Sequence, residues 1–185
     1  MDPLTADLRT DRLALRPWTP ADAAALGAAI AASLEHLRRW MPWAAAEPIS
    51  APERAAWIAE AEAARQAGGD LVLGILAGAT VVGGTGIKRR PDPGTLEIGY
   101  WVHVDHVGCG YASEATAALT DHIFATTDAA AVEIHHDRAN VRSRAIPARL
   151  GYAFVGETPD SVTAPGEDGV DCCWRTTRAT WTRRA

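Results

Sequence analysis

The rhythm of apolar and polar positions along this chain changes once, at Gly68-Gly69. Before it, Arg12-Leu-Ala-Leu-Arg16 alternates and predicts a first strand. Thr19-Pro20-Ala-Asp22 then provides a cap residue, a proline at the first helical position and an acid in the first turn, which predicts a helix to about residue 32. A second short helix is expected over residues 34–40, closed by Pro42. Ser50-Ala-Pro-Glu53 is a capping-box pattern, and the alanine-rich segment behind it predicts a helix that lasts until the glycine pair.

After Gly69 the period becomes that of strands. Residues 71–76, 80–88 and 95–102 read as three strands joined by turns at Ala77-Gly78 and Pro91-Asp92-Pro93-Gly94, an antiparallel meander. A helix over 111 to about 126, a strand over 131–137 and a helix over 141 to about 150 follow, the last closed by Gly151 and expected to kink at Pro147, which cannot donate to the carbonyl of Ser143. Strands 153–158 and 170–177 finish the pattern. The order predicts an α+β fold, a mixed, mostly antiparallel sheet of about seven strands flanked by helices.

Composition narrows the classes. A chain of 185 residues with 48% hydrophobic and 22% charged side chains is long enough for one domain with a core, and one domain over 1–185 is expected. No apolar run reaches the roughly 18 residues of a membrane span, and Met1-Asp-Pro-Leu-Thr lacks the order of a signal peptide. Cys109, Cys172 and Cys173 form neither a disulfide framework nor a zinc pattern, as expected of a reducing cytoplasm. The net charge is −5 and the 18 basic side chains, all arginine except Lys88, are scattered, which argues against nucleic acid as a partner.

Three stretches carry chemistry: Glu97-Ile-Gly-Tyr-Trp-Val102, Val107-Gly-Cys-Gly-Tyr-Ala112 and Asn140-Val-Arg-Ser143. A strand that runs into a glycine turn and a helix start aims several backbone N–H groups and the positive helix end at one spot, which makes an anion site. With Asn140 and Ser143 opening a second helix, the pattern resembles the acyl-CoA site of the GCN5-related N-acetyltransferases, in particular the RimJ/RimL-like branch that acetylates protein N-termini. Leu13-x-Leu-Arg-Pro-Trp18 and Asp22 extend the resemblance to the early part of the chain.

The resemblance implies acetyl-CoA as acyl donor, bound where strand 95–102 splays from strand 131–137. It assigns the pyrophosphate to Val107, Gly108, Cys109, Gly110, Tyr111 and Ala112, and the pantetheine arm to the backbone of Tyr100, Trp101 and Val102 and to Asn140. In relatives the serine hydroxyl lies near the sulfur and protonates the leaving thiolate, a role that falls here on Ser143, with a water as the alternative. Three family features are replaced: Val107 stands where Arg or Gln is usual, Cys109 where many members carry a basic residue, and Pro147 where many members have a tyrosine. These departures keep a second class open, a catalytically silent acyl-CoA-binding module.

For a base, Glu97 shares a strand face with Gly99 and Trp101 and is the first candidate, with Asp171 second. Trp40 and Trp43 lie in a segment resembling the one where this branch sets acceptor specificity, although these and Trp57 equally suit core anchors. Glu133-Ile-His-His-Asp137 imitates a metal site, but adjacent strand residues point to opposite faces, so His135 and His136 cannot share an ion and no metal is expected. The acceptor is open among a protein N-terminus, a polyamine, an amino acid and an antibiotic amine. The assembly is open as well, relatives often being homodimers.

Overall fold

The glycine pair also divides the architecture. Upstream, β1 (Leu8–Arg9) and β2 (Ala14–Pro17) form a hairpin, followed by a 3-10 turn over Pro20–Asp22 and helices α1 (Ala23–Ala32), α2 (Leu34–Arg38) and α3 (Ala51–Gln66). Downstream come β3 (Leu71–Ala77), β4 (Thr80–Arg89), β5 (Thr95–Val102), α4 (Tyr111–Thr126), β6 (Ala131–Asp137), α5 (Val141–Leu150), β7 (Ala153–Pro159) and β8 (Val170–Thr177). The computed structural model describes residues 4–182, and within them the strands form one eight-stranded sheet in the order β1-β2-β3-β4-β5-β6-β8-β7.

The expected count of about seven strands becomes eight because β1 has two residues, too few to show alternation, and is recruited by pairing with Ala14 and Leu15. The first expected helix opens as a 3-10 turn. Asp22 reaches back to the Thr19 N–H at 2.8 Å while both its oxygens take hydrogen bonds from Arg16 at 2.7 and 2.8 Å, so the Arg16 guanidinium holds its carboxyl well below the usual range. The second capping box forms as the pattern implies, with Glu53 accepting from the Ser50 N–H at 2.8 Å.

Strand alternation creates two cores on opposite faces of the sheet. On one, Leu71, Leu73, Ile75, Ile87, Leu96 and Ile98 cluster with Ala115, Leu119 and Ile123, which lie on one face of α4. On the other, Trp18, Leu26, Ile30, Leu37 and Ile58 form a cluster against which Val72 and Trp101 pack. Each large side chain so buried contributes about 1.5–3 kcal/mol.

One ladder is short, and it positions the site. All neighbouring strands pair antiparallel except β5 and β6, which run parallel and are in register only from Thr95↔Ala131 to Glu97↔Glu133. Beyond Glu97, β5 stays with β4 as far as Val102, while β6 stays with β8 as far as Asp137↔Asp171. The two half-sheets therefore part, and among the described residues the backbone of β5 from Ile98 onward has no ladder partner on the β6 side.

Candidate active site

A cavity of about 490 Å³ opens at this parting, walled by β5, the loop before α4, the first turn of α4, one face of α5 as far as Arg149, and α2 with the residues just after it. At its outer end the chain turns through Gly108 and Gly110, with φ of +86° and +82°. Only glycine adopts this region without strain, and a Cβ at Gly108 would meet nothing within 4 Å, so it would project into open space. Gly110 caps the 16-residue α4, whose first N–H groups have no carbonyl partner within the helix.

Side chains from elsewhere brace this loop. Arg12 donates from Nη1 to the Cys109 carbonyl at 3.0 Å and from Nε to Glu114 at 2.6 Å, and its guanidinium lies 4.9 Å over the Tyr111 ring. Arg149 of α5 donates to the Ser113 hydroxyl at 3.3 Å from the opposite wall. Bare backbone, a helix start and Arg149 on the cavity wall together suit a phosphate group and supply positive charge that Val107 does not, while Arg12, ion-paired with Glu114 at 2.6 Å, braces the loop.

At the inner end, Asp137 organises the start of α5. Its carboxylate accepts from the backbone N–H groups of Ala139 at 2.8 Å, Asp168 at 3.1 Å, Gly169 at 3.0 Å and Val170 at 3.3 Å, and its carbonyl accepts from Asn140 N–H at 2.9 Å. Burial pushes this carboxyl up, but the backbone donors outweigh it and the group stays below the usual range. Asn140 in turn caps α5 by accepting from Ser143 N–H at 3.2 Å.

Ser143 meets a phenol. The Tyr100 hydroxyl lies 3.1 Å from Ser143 Oγ and 3.3 Å from the Ser143 carbonyl. That carbonyl is the one Pro147 cannot serve, because proline has no N–H. The expected kink is thus answered from outside the helix: α5 continues through Pro147 to Leu150 while Tyr100 donates to the orphaned oxygen or to Oγ. Burial raises the Tyr100 pKa, only partly offset by Ser143, so the phenol stays protonated near neutral pH.

The third wall comes from His36, Leu37, Trp40 and Met41, facing Trp101. Gly84 of β4 lets the Trp101 indole lie across it, since a Cβ there would collide with indole Nε1. Trp43 stands behind this wall: it packs edge-on against Trp101 with ring centroids 6.3 Å apart and is 41% exposed. Trp57 of α3 is under the Arg54 guanidinium at 5.9 Å, away from the cavity.

Of the residues singled out in the sequence, Tyr100, Trp101, Val102, Val107, Gly108, Gly110, Tyr111, Ala112, Asn140, Ser143 and Trp40 line this single cavity. Cys109 is exposed, and its backbone carbonyl is turned to Arg12. The two candidate bases are elsewhere. Glu97 is bound by Lys88 Nζ at 3.0 Å and Arg90 Nη1 at 2.9 Å. It lies three positions before Tyr100, an odd step, so the period of two turns it to the face opposite the Tyr100–Ser143 pair. Asp171 is bound to His135 Nδ1 at 2.7 Å.

His135 and His136 do diverge. His136 accepts from the Trp174 indole at 3.0 Å, whereas His135 bridges Asp171 and, at 3.1 Å, Glu133. Glu133, His135 and Cys173 bring possible ligand atoms within 4.8 Å of one another. Both His135 nitrogens are already engaged, however, and Arg175 Nε holds Glu133 at 2.8 Å, so the cluster reads as a charge ladder across the sheet. Sequence reading missed Arg12, His36, Asp137, Arg142 and Arg149. Arg142 and Asp137 had a usable signal, flanking Asn140 in the motif; Arg12 and His36 arrive only through tertiary contact.

An open sheet parted beside an anion nest, with a hydroxyl pair at the parting, defines an acyltransferase domain. The chain belongs to the family described as Acetyltransferase (GNAT) domain, whose pattern matches residues 12–153. A comparison with curated proteins finds no match. Among solved structures the chain is similar to RimJ of Mycobacterium smegmatis in complex with CoA-disulfide, at 25% identity over 89% of this chain and 81% of that one, with a TM-score of 0.77. The fold is also that of RimL, the ribosomal L7/L12 α-N-protein acetyltransferase in complex with coenzyme A (19% identity, 91% and 95% covered, TM-score 0.82). The microcin C7 self-immunity acetyltransferase MccE, in complex with acetyl-CoA and AMP, shares it too (18% identity, 91% and 93% covered, TM-score 0.83).

Proposed function

We propose that this chain transfers an acetyl group from acetyl-CoA to a primary amine by direct attack in a ternary complex, and that a peptide α-amine is its acceptor. The observation that carries the reading is the continuity of the cavity, which joins the glycine-turn nest, the Tyr100–Ser143 pair and the Trp40–Met41 wall. The donor's pyrophosphate rests over residues 107–112, and its extended arm follows the unpaired edge of β5 from Tyr100 to Val102. That edge offers backbone N–H groups to the thioester oxygen, and one such preorganised donor is worth about 3 kcal/mol to an oxyanion.

Ser143 Oγ supplies the proton to the departing thiolate. With Tyr100 able to donate to Oγ, the Ser143 proton is free to point at the sulfur. The acceptor class follows from acidity: an α-amine has a reference pKa of about 8 and a lysine side chain about 10.4, so only the former is appreciably neutral near pH 7.5. The likeness to RimJ and RimL supports a protein N-terminus over a small amine. Thiol release from acetyl-CoA, measured with short peptides beside polyamines, amino acids and aminoglycosides, tests the reading. Release with peptides foremost is expected; no release with any amine would identify a silent acyl-CoA-binding module instead.

A further inference from the structure

The acceptor wall contains two side chains that the reaction as described leaves unused. Resting on the reading above, we propose that Arg142 and His36 form the acceptor subsite, in which Arg142 binds an anionic group carried beside the acceptor amine and His36 takes the proton that the amine must lose.

Arg142 is exposed at the mouth of the cavity. It lies in the first turn of α5, at the positive end of the helix dipole, where a cation is disfavoured, and no acid accompanies it there. It forms no hydrogen bond or ion pair among the described residues. Arg149 lies seven residues further on the same helix, about 10 Å along its axis, and serves the phosphate end beside Ser113. Arg142 is thus at the other end of the cavity, across from α2.

His36 faces it. The imidazole lines the cavity from α2 and has no hydrogen-bond partner among the described residues. Around it, α1 and the 3-10 turn over Pro42–Ala46, both packed on α2, contain no ionisable side chain. On α2, Arg38 is turned to the carbonyls of Ala44 and Glu47 and Glu35 is exposed, and just past its end Arg39 stacks on Trp40. Among the described residues, the other titratable groups on the cavity wall are Tyr100, His106, Tyr111 and Arg149, and no carboxylate lines it. Burial, then the Arg142 charge, lower the His36 pKa, so the ring is neutral and ready to accept a proton near neutral pH. An anion docked on Arg142 cancels the repulsion and makes His36 more basic as the acceptor arrives. A wall with two cationic groups and no carboxylate also disfavours polycationic acceptors.

The step balances. The acceptor ammonium gives one proton to His36, and the freed nitrogen lone pair bonds to the thioester carbonyl carbon. The C–S bond breaks with its electron pair on sulfur. A second proton leaves nitrogen and the sulfur gains one through Ser143, so the products are the amide, free thiol and one proton that His36 returns to solvent.

The test uses the full chain and two amidated tetrapeptides, Ser-Glu-Ala-Ala and Ser-Gln-Ala-Ala, with a third carrying phosphoserine at the second position to separate carboxylate from phosphate. Wild type should favour a charged peptide in kcat/KM by roughly tenfold to a hundredfold, the range of a charge-assisted hydrogen bond. Arg142→Gln should erase that preference and move the acid limb of the kcat/KM profile to higher pH, Arg142→Lys should keep part of it, and His36→Gln should lower kcat/KM and shift the limb up to the acceptor amine's own titration at about pH 8. Neither side chain holds another by a hydrogen bond, so the variants should melt like wild type. Equal rates on charged and neutral peptides, a preference surviving Arg142→Gln, or an acid limb left unmoved by His36→Gln would each overturn the proposal. Absence of thiol release with every amine would instead remove the acetyltransferase reading beneath it.

Discussion

Tyr100→Phe isolates one oxygen atom that serves two partners. The loss of a hydrogen bond of ordinary strength and the exposure of the Ser143 carbonyl without a donor should together lower stability by about 1–2 kcal/mol. Turnover should fall about tenfold, because Oγ of Ser143 loses the neighbour that orients its proton. Pro147→Ala separates the two effects. The new N–H at 147 can serve the Ser143 carbonyl, which recovers up to about 3 kcal/mol of interior-proline cost while removing two buried methylenes worth about 0.8 kcal/mol each. In that background Tyr100→Phe should cost under about 0.5 kcal/mol in stability, by the same accounting, yet still slow turnover by about tenfold. Ser143→Ala alone should lower turnover roughly ten- to a thousandfold with little change in donor affinity, and adding Tyr100→Phe to it should slow the enzyme by less than about threefold. Urea melts and a thiol-release assay read both quantities. Rate losses that multiply in the Tyr100→Phe, Ser143→Ala double variant would refute the idea that the phenol acts through the serine.

Gly110→Asp should abolish acetyl-CoA binding in calorimetry, since it forces a side chain at φ of +82° and a negative charge into the anion nest; retained binding would relocate the donor. Trp43→Ala should raise the acceptor KM more than it weakens donor binding, because Trp43 supports the Trp101 edge of the acceptor wall; an equal effect on both would assign it to general packing. His135 is held above its ordinary pKa chiefly by Asp171 and then Glu133. A raised pKa stabilises the fold below about pH 6.5 and the contribution fades as pH rises through the folded value, so His135→Gln should destabilise more at pH 5.5 than at pH 8.5 in urea melts. A pH-independent difference would show that the imidazolium is not the stabilising form.

Local chemistry alone settled much of the chain. The two capping patterns at Thr19 and Ser50, the glycines that end α3 and α5, and the alternation over residues 71–102 each act within a few residues, so the elements they specify form where the pattern puts them. The same is true of the strand–glycine turn–helix run and of Asn140 capping Ser143, which is why the anion nest and the hydroxyl were legible. Tertiary structure decided what each charged group faces. Glu97 has the right chemistry for a base and a place near the motif, but strand register gives it to Lys88 and Arg90 on the opposite face. A hydroxyl for the carbonyl orphaned by Pro147 comes from a residue 43 positions away, and Arg12 reaches Cys109 across 97, separations at which no local period carries information. Periodicity tells which face a side chain takes relative to its neighbours in the chain; which partners wait on that face depends on how the two half-sheets part after Glu97, and that is set by packing.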